Sequence, residues 1–546
     1  MKRTLLSVVA ILALTLGLQA QWIEQNTGFS TASRGIQFIS IVNSNVVWAT
    51  AYDGTGSGAV ISEFTRTVNG GTLWTPGQVL TPGTYGLGNI SAINADTAWV
   101  SLYNGAGNQD NNCGVYRTND GGVTWTHQTG CLQGSSSFAD NVHFWDGHDG
   151  MAHGDVKDGY FEIYWTSDGG TTWTRVPKTD INGSSVSGEG GWTTVINAVG
   201  DSMISFGTNK GNIYISNDRG HHWFVKATGI TPANSNGGIN QIAFTDPLNG
   251  MVAQGNNPGN ATDTTFQLYK TTDGGHTWTH VTGTTGWIFG NCLAGVPGTA
   301  NTYVTGGANV GSNQNYFIGS SYTFDGTHFT GFPGTVGQGV AGYQFLYTSF
   351  LNDSTGWSGH FNQDATTGGI WKFNGVLAAP VANFVASDSA ITLGSSVTFT
   401  NLSTGDPYST KWTFTGGSPA TYNGTNPPAI TYNTPGDFTV SLRVTSDYGA
   451  DTLTKVNYIH VGGVGINEVS NVTLTISPNP AKDYMKVSSS VNIQEVQIMN
   501  LVGQTIINQT ANGNEITINT SNLNSGVYLL RVKINDKFYN NKIVVK

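Results

Sequence analysis

One short phrase, returning about every 50 residues, constrains the fold of this chain more than any other feature. It reads Thr118-Asn119-Asp120-Gly121-Gly122-Val123-Thr124-Trp125, then Ser167-Asp168-Gly169-Gly170-Thr171-Thr172-Trp173. It returns as Ser216-Asn217-Asp218-Arg219-Gly220-His221-His222-Trp223 and as Thr271-Thr272-Asp273-Gly274-Gly275-His276-Thr277-Trp278. Weaker copies stand at Asn69-Gly70-Gly71-Thr72-Leu73-Trp74 and Phe324-Asp325-Gly326-Thr327-His328-Phe329. A fixed period of this length marks a repeat architecture. Asp and Asn bond their own backbone in tight turns, glycine supplies positive φ, and β-branched residues with Trp continue as a strand. Each copy is therefore predicted to be a β-hairpin tip, with Asp120, Asp168, Asp218 and Asp273 as turn scaffold.

A second phrase lies roughly 25 residues before each copy: a β-rich run, a polar turn, then an aromatic or Met. It occurs at Ile39 to Trp48, Ile90 to Trp99, Val142 to Met151, Val195 to Met203, Ile242 to Met251, Leu293 to Tyr303 and Phe345 to Trp357. The last is followed by Gly369-Ile370-Trp371-Lys372-Phe373-Asn374, an incomplete repeat that Gln21-Trp22-Ile23-Glu24 can complete from the other end. Four short strands per repeat, closed in a circle, predict an all-β fold with a seven-bladed β-propeller over 21–378. Six blades is the alternative, because the sixth box has degenerated. The phrase resembles the Asp-box of sialidases, xyloglucanases and related propellers. That resemblance implies a structural box, remote from any active site. The repeats also resemble plant and cyanobacterial photosystem-assembly factors, a role against which the export signals argue.

Residues 1–20 read as a secretory leader: Lys2-Arg3, an apolar run from Leu5 to Leu18, and Ala20 at the cut. The run is too short for a membrane span, and no transmembrane segment is expected in the mature chain. No Cys stands at the cleavage point, so no lipid anchor is indicated. Charged residues make up 10% and Gly 74 of 546, as suits a loop-rich all-β protein. The net charge of −10 without a basic patch argues against a nucleic-acid partner. Cys113 and Cys131 lie symmetrically about Gly121-Gly122, which predicts a disulfide across the hairpin in an exported protein. Cys292 has no evident partner.

From about Ala379 the texture changes. Trp412-Thr413-Phe414-Thr415-Gly416-Gly417 and Pro435-Gly436-Asp437-Phe438-Thr439-Val440-Ser441-Leu442-Arg443-Val444 give a turn followed by an alternating strand. The stretch 379–463 resembles a PKD domain, an immunoglobulin-like β-sandwich spacer, with Gly416-Gly417 where that family has Gly-Asp-Gly. A linker over 464–470 is expected to follow. Residues 471–546 hold Ile476-Ser477-Pro478-Asn479-Pro480-Ala481, Ile498-Met499-Asn500-Leu501-Val502-Gly503-Gln504, Leu523 to Val532, and Lys542-Ile543-Val544-Val545-Lys546. They resemble the C-terminal sorting domain of the type IX secretion system of Bacteroidetes, a second small β-sandwich. The resemblance implies engagement with that secretion machinery and delivery to the cell surface or the medium.

In a four-stranded blade the first turn and the box turn share one face, and the other two connections share the opposite face. Asp96, Asp149, Asp246 and Asp353 thus fall with the boxes, where turn chemistry accounts for them. The opposite face receives the long loops, where binding residues gather. Candidate ligand contacts there are Arg34, Tyr52, Tyr103, Tyr160, Trp192, Trp287, Tyr343 and His360. Flat aromatic faces among neutral amides suit a sugar. Asp140, Asp155 and Glu189 are expected to project near one place, and are the candidate catalytic carboxylates if the chain is a glycoside hydrolase. His143, His148 and His153 lie close by, but no recognised metal spacing appears, and neither a metal nor a cofactor is expected. A sialidase site needs three arginines on one carboxylate, and only Arg34 reaches this face. Two readings remain: an exported, non-catalytic protein binding a glycan or a surface protein through its loop face, or a xyloglucanase-like hydrolase.

Overall fold

The structure is a computed structural model. It describes residues 22–546 apart from 81–82, 108, 233–236, 255–265, 309–316, 334, 336, 339–342, 406, 447 and 463–471. The expected leader and linker lie outside the described residues. The described chain is all-β, with no α-helix and one 3-10 turn at Lys178–Asp180.

The N-terminal two thirds form a propeller-like ring of antiparallel sheets. The first runs Arg34–Ile41, Val47–Asp53, Glu63–Thr67 and Trp74–Gln78 from the inside out. Further sheets of the same order start at inner strands Tyr85–Ala92, Ala139–Phe144, Ile196–Val199, Gln241–Phe244 and Cys292–Gly295. In the last sheet Thr348–Asn352, Thr355–Asp364 and Thr367–Phe373 are joined by Trp22–Asn26, which pairs Trp22 with Phe373 and Asn26 with Gly369. The two ends of the ring therefore meet inside one sheet. Gln25 Oε1 seals this seam by accepting the indole N–H of Trp74 (3.1 Å) and of Trp357 (3.2 Å). Trp22 itself is buried among Phe332, Phe345, Phe350 and Phe373, at ring distances of 5.3–6.0 Å.

The recurring phrase forms the same turn each time. Thr166 Oγ1 donates to Asp168 Oδ1 (2.9 Å) and accepts the Gly170 N–H (3.0 Å), while Asp168 accepts the Thr172 N–H (2.8 Å) and hydroxyl (2.7 Å). Asp120, Asp218 and Asp273 repeat the arrangement, and Asn69 and Asp325 do so in the weaker copies. Positive φ at Gly169 (73°) and Gly170 (91°) shows why a side chain is disfavoured at both positions.

Two further devices hold sheet to sheet. Cations sit over strand tryptophans directly opposite them: Arg66 on Trp48 (5.3 Å), Arg117 on Trp99 (4.9 Å) and Lys372 on Trp357 (5.3 Å). Each then donates to a turn carbonyl of the next sheet, at Ala95, Gly169 and Gly70. On the inner strands, amide side chains reach the next sheet's backbone. Gln37 donates to Leu87 O (3.0 Å), Asn89 bonds both N and O of Val142, and Asn141 bonds Thr194 N and Trp192 O. Asn197 and Gln241 continue the series to Phe244 N and Gly290 O.

The expected Cys113–Cys131 bridge is not formed; all three cysteines are free and buried. The hairpin pairs Val115 with Gln128, Tyr116 with His127 and Arg117 with Thr126, a register that sets Cys113 against position 130. A slip of one residue turns the side chain to the other face of the sheet. Cys131 instead packs with Trp99, Val115 and Val142.

Two smaller all-β units follow. Trp412, Phe414, Phe399, Phe384 and Tyr432 fill the core of the first, and Tyr448 at its edge packs against Tyr322 (5.0 Å) and Phe324 (6.1 Å) of the ring. In the second, the long strand Tyr484–Met499 pairs with Leu474–Ser477, Thr505–Asn519 and Gly526–Ile534 over a core including Met485, Val496, Ile498 and Leu530. No described helix is long and apolar enough to cross a membrane.

Candidate functional site

The inner strands all begin on the face opposite the box turns. Arg34 opens the first of them and stands in register with Asp53. Its guanidinium donates to Glu63 (2.8 and 3.1 Å) and to Asp53 (2.8 Å), and the Glu63 contact holds it above its ordinary pKa. Burial pushes the Asp53 carboxyl up, but bonds from Ser57 and Thr55 outweigh it and hold the group below its usual range. Arg34 is thus committed between two carboxylates.

Beside it, Tyr52 meets Phe361 edge-on at 5.6 Å, and burial raises its hydroxyl well above the ordinary value. Tyr52 and Gln37 line two adjoining spaces. One is an axial cavity of about 220 Å³, shared with Thr194, Asn240, Gln241, Asn291, Tyr347 and Thr348. The other is a groove of about 400 Å³ beneath residues 58–61, bounded by Asp53 and Tyr103. Tyr103 is braced by Phe138, stacked at 5.1 Å. The structure therefore brings Tyr52, Tyr103 and, through Asp53, Arg34 to one place.

The other ligand candidates stand apart from both spaces. Tyr160 lies under the Arg175 guanidinium at 4.1 Å, and Tyr343 stacks on Trp371 at 5.4 Å. Trp192 packs against Val195 and Ile213, and Trp287 is half-buried with its carbonyl accepting from Ser321. His360 is a correction: it is buried, stacked on Trp371 at 4.5 Å, and its Nε2 accepts the Gly369 N–H at 3.0 Å. Burial takes its pKa down to about 3, so it is a neutral packing group of the last sheet and not a presented side chain.

The three acids do converge in part. Register shifts in both strands, between Ala139 and Asn141 and between His153 and Val156, turn Asp140 and Asp155 toward one spot. The segment 190–191 closes over them. Gly191 N–H donates to Asp155 Oδ1 at 2.8 Å, and a Cβ on Gly191 would stand 2.6 Å from Asp140 Oδ2. Any side chain there would force the Asp140 carboxyl to move. Asp140 is buried, and burial first, then the charge of Asp155, drives its carboxyl well above the usual range. Burial also raises Asp155, against the Gly191 bond. Glu189 takes a different part. Its carboxylate accepts from Thr208 (2.7 Å), Asn212 (2.8 Å) and Val186 N–H (2.9 Å), anchoring its own loop. Among the described residues no group of His, Cys, Asp and Glu is placed to hold a metal ion.

Residues 475–546 match the family model of the secretion system C-terminal sorting domain, and residues 382–459 match that of the PKD domain. The sorting-domain match indicates type IX secretion. The chain's destination is the cell surface or the extracellular space. No curated protein matches it. Among solved structures, YCF48 from Cyanidioschyzon merolae is similar at 15% identity over 65% of this chain and 98% of that one, with a TM-score of 0.40. The GH74 xyloglucanase from Xanthomonas campestris is 11% identical over 95% of this chain and 87% of that one, with a TM-score of 0.41. PorZ, a surface component of the type IX secretion system of Porphyromonas gingivalis, is 10% identical over 96% and 100%, with a TM-score of 0.19. Likeness at this level carries no argument about what this chain does.

Proposed function

We propose that this exported chain is a non-catalytic binding protein whose ligand is a glycan, seated along the Tyr52–Tyr103 groove toward the axial cavity. In this reading residues 21–378 are a seven-bladed propeller with Asp-box hairpins, 379–463 a PKD spacer and 471–546 the sorting domain. The observation that carries it is the contrast between two places on one face. The groove joins aromatic side chains to polar groups around an open space, the combination that binding pockets use. The acids are closed: Asp140 lies under Gly191 and Glu189 is saturated by three donors. Glycoside hydrolysis needs two carboxyl groups flanking a bond, ~5–9.5 Å apart and open to substrate. Of Asp140, Asp155 and Glu189, only Asp155 is partly exposed.

A glycan array probed with the mature protein tests this, with Tyr52→Ala and Tyr103→Ala beside the parent. Loss of binding in both variants, with polysaccharides left intact, is the expected result. Release of reducing ends that vanishes in Asp155→Asn would replace this reading with the hydrolase.

A further inference from the structure

The sorting domain carries an apolar crown at one end. Its core residues are buried, yet Leu501 is 77% and Val502 86% exposed. They occupy the tip of the hairpin that follows Met499. Met499 pairs with Thr505 on one side and Leu529 on the other, so the tip, Ile506 and Val527 gather at the same end of the sheet. Ile506 and Val527 are exposed as well. The tip is rigid: Asn500 Oδ1 accepts the N–H of Val502 (3.2 Å) and of Gln504 (2.9 Å), and Gly503 N–H returns to Asn500 O (3.0 Å). A single exposed aliphatic residue needs no explanation, but a fixed cluster of them marks an interaction site. The exposed aromatic side chains of the domain differ. Phe538 lies under the Arg531 guanidinium at 3.9 Å, and Tyr484 stands alone at the start of its strand, opposite Asn519.

Charge specifies the partner further. Residues 475–546 hold seven basic and four acidic side chains, a net +3 in a chain of net −10. Glu515 and Asp536 are already paired, with Lys486 (2.7 Å) and Lys533 (3.0 Å). Lys542 stands opposite Leu529, and Lys546 and Lys482 adjoin Val545 and Ala481, which bridge each other near Gly526. Lysines therefore border the crown.

We infer that the Leu501–Val502 tip is the anchor by which the sorting domain docks into an apolar, acid-rimmed pocket of the type IX secretion machinery. The full-length chain, expressed in a bacterium with that system, tests it. In the double variant Leu501→Ser with Val502→Ser, the exported fraction should fall by at least about tenfold, as loss of an interface anchor produces. The retained protein should be folded by protease resistance. Phe538→Ser, an exposed change at the opposite end of the sheet beside the turn where Ile534 meets Lys537, should be exported as the parent is. Lys542→Glu with Lys546→Glu should lower export without unfolding the domain. Parental export of the Leu501/Val502 variant overturns the inference. If that variant is retained but protease-sensitive, the lysine pair decides: parental export there overturns the inference too.

Discussion

Asp140 Oδ2 and His153 Nδ1 lie 3.9 Å apart in the interior, and neither atom makes a hydrogen bond. Two polar groups face each other without satisfying each other. Such an arrangement is costly and reports on how each group is charged. His153, taken down to about 3 by burial, is neutral. Asp140 is held in its protonated form well beyond the usual carboxylate range.

The first prediction concerns that acid. The unfolded chain ionises Asp140 freely above about pH 3.8, and the folded protein resists, so stability falls as pH rises through this window. Asp140→Asn removes the titration. Its melting temperature should exceed the parent's at pH 8 by a few degrees, roughly 1 kcal/mol, and equal it at pH 4. Thermal melts at the two pH values check this, and equal differences at both would refute it.

Histidine works in the opposite direction. His360 and His153 have folded pKa values of about 3 against 6.5 when unfolded. Between these values the unfolded chain takes up protons that the folded one refuses, so stability is lost as pH falls below 6.5. In His360→Asn the slope of melting temperature against pH should flatten between pH 6.5 and 4. An unchanged slope would show that the imidazole is accessible to protons.

Box turns should behave as interchangeable parts. Asp168→Ala removes three hydrogen bonds from one hairpin and should cost about 1–2 kcal/mol in chemical denaturation. Asp273→Ala should cost the same, since its turn repeats the geometry. Neither change should alter ligand affinity.

Ring closure has a single vulnerable point. Trp22→Ala empties the space between four aromatic rings and should destabilise by about 3–5 kcal/mol. Deleting residues 22–26 should go further, baring the edge of Thr367–Phe373 to other chains. Size-exclusion chromatography of the deletion protein should show association that the parent lacks.

Thiol counting distinguishes the free cysteines from the bridge that their spacing first implies. Alkylation in denaturant without reductant should label Cys113, Cys131 and Cys292, three per chain. One label per chain would restore the disulfide.

The scaffold was legible because its chemistry repeats locally. The Asp-Gly-Gly turns, the strand that meets Phe373 at the seam and the side of the ring on which each acid lies all follow from short-range turn and strand geometry. The site was less so. Bulges beside Asp140 and Asp155 decide which way those side chains point, and no pattern in the surrounding residues announces them. The disulfide failed by a one-residue register offset that symmetry about Gly121-Gly122 cannot resolve. His360 has a loop residue's polarity but lies beneath the strand that closes the ring. The inner-strand amides carry a signal of their own: Gln37, Asn89 and Asn141 recur at intervals of 52 residues, the spacing of a structural part.

Those inner-strand amides turn their polarity toward the backbone of the neighbouring sheet. Gln37 and Gln241 of this series line the axial cavity, so its wall is chemically quieter than its composition, and in the proposed reading discrimination between ligands falls to the Tyr52–Tyr103 groove beside it. Such a division of labour separates what a lineage must keep from what it can trade. Changes of length or side chain in the loops leave the Trp22–Phe373 seam beneath them untouched, so specificity can be altered without reopening the ring.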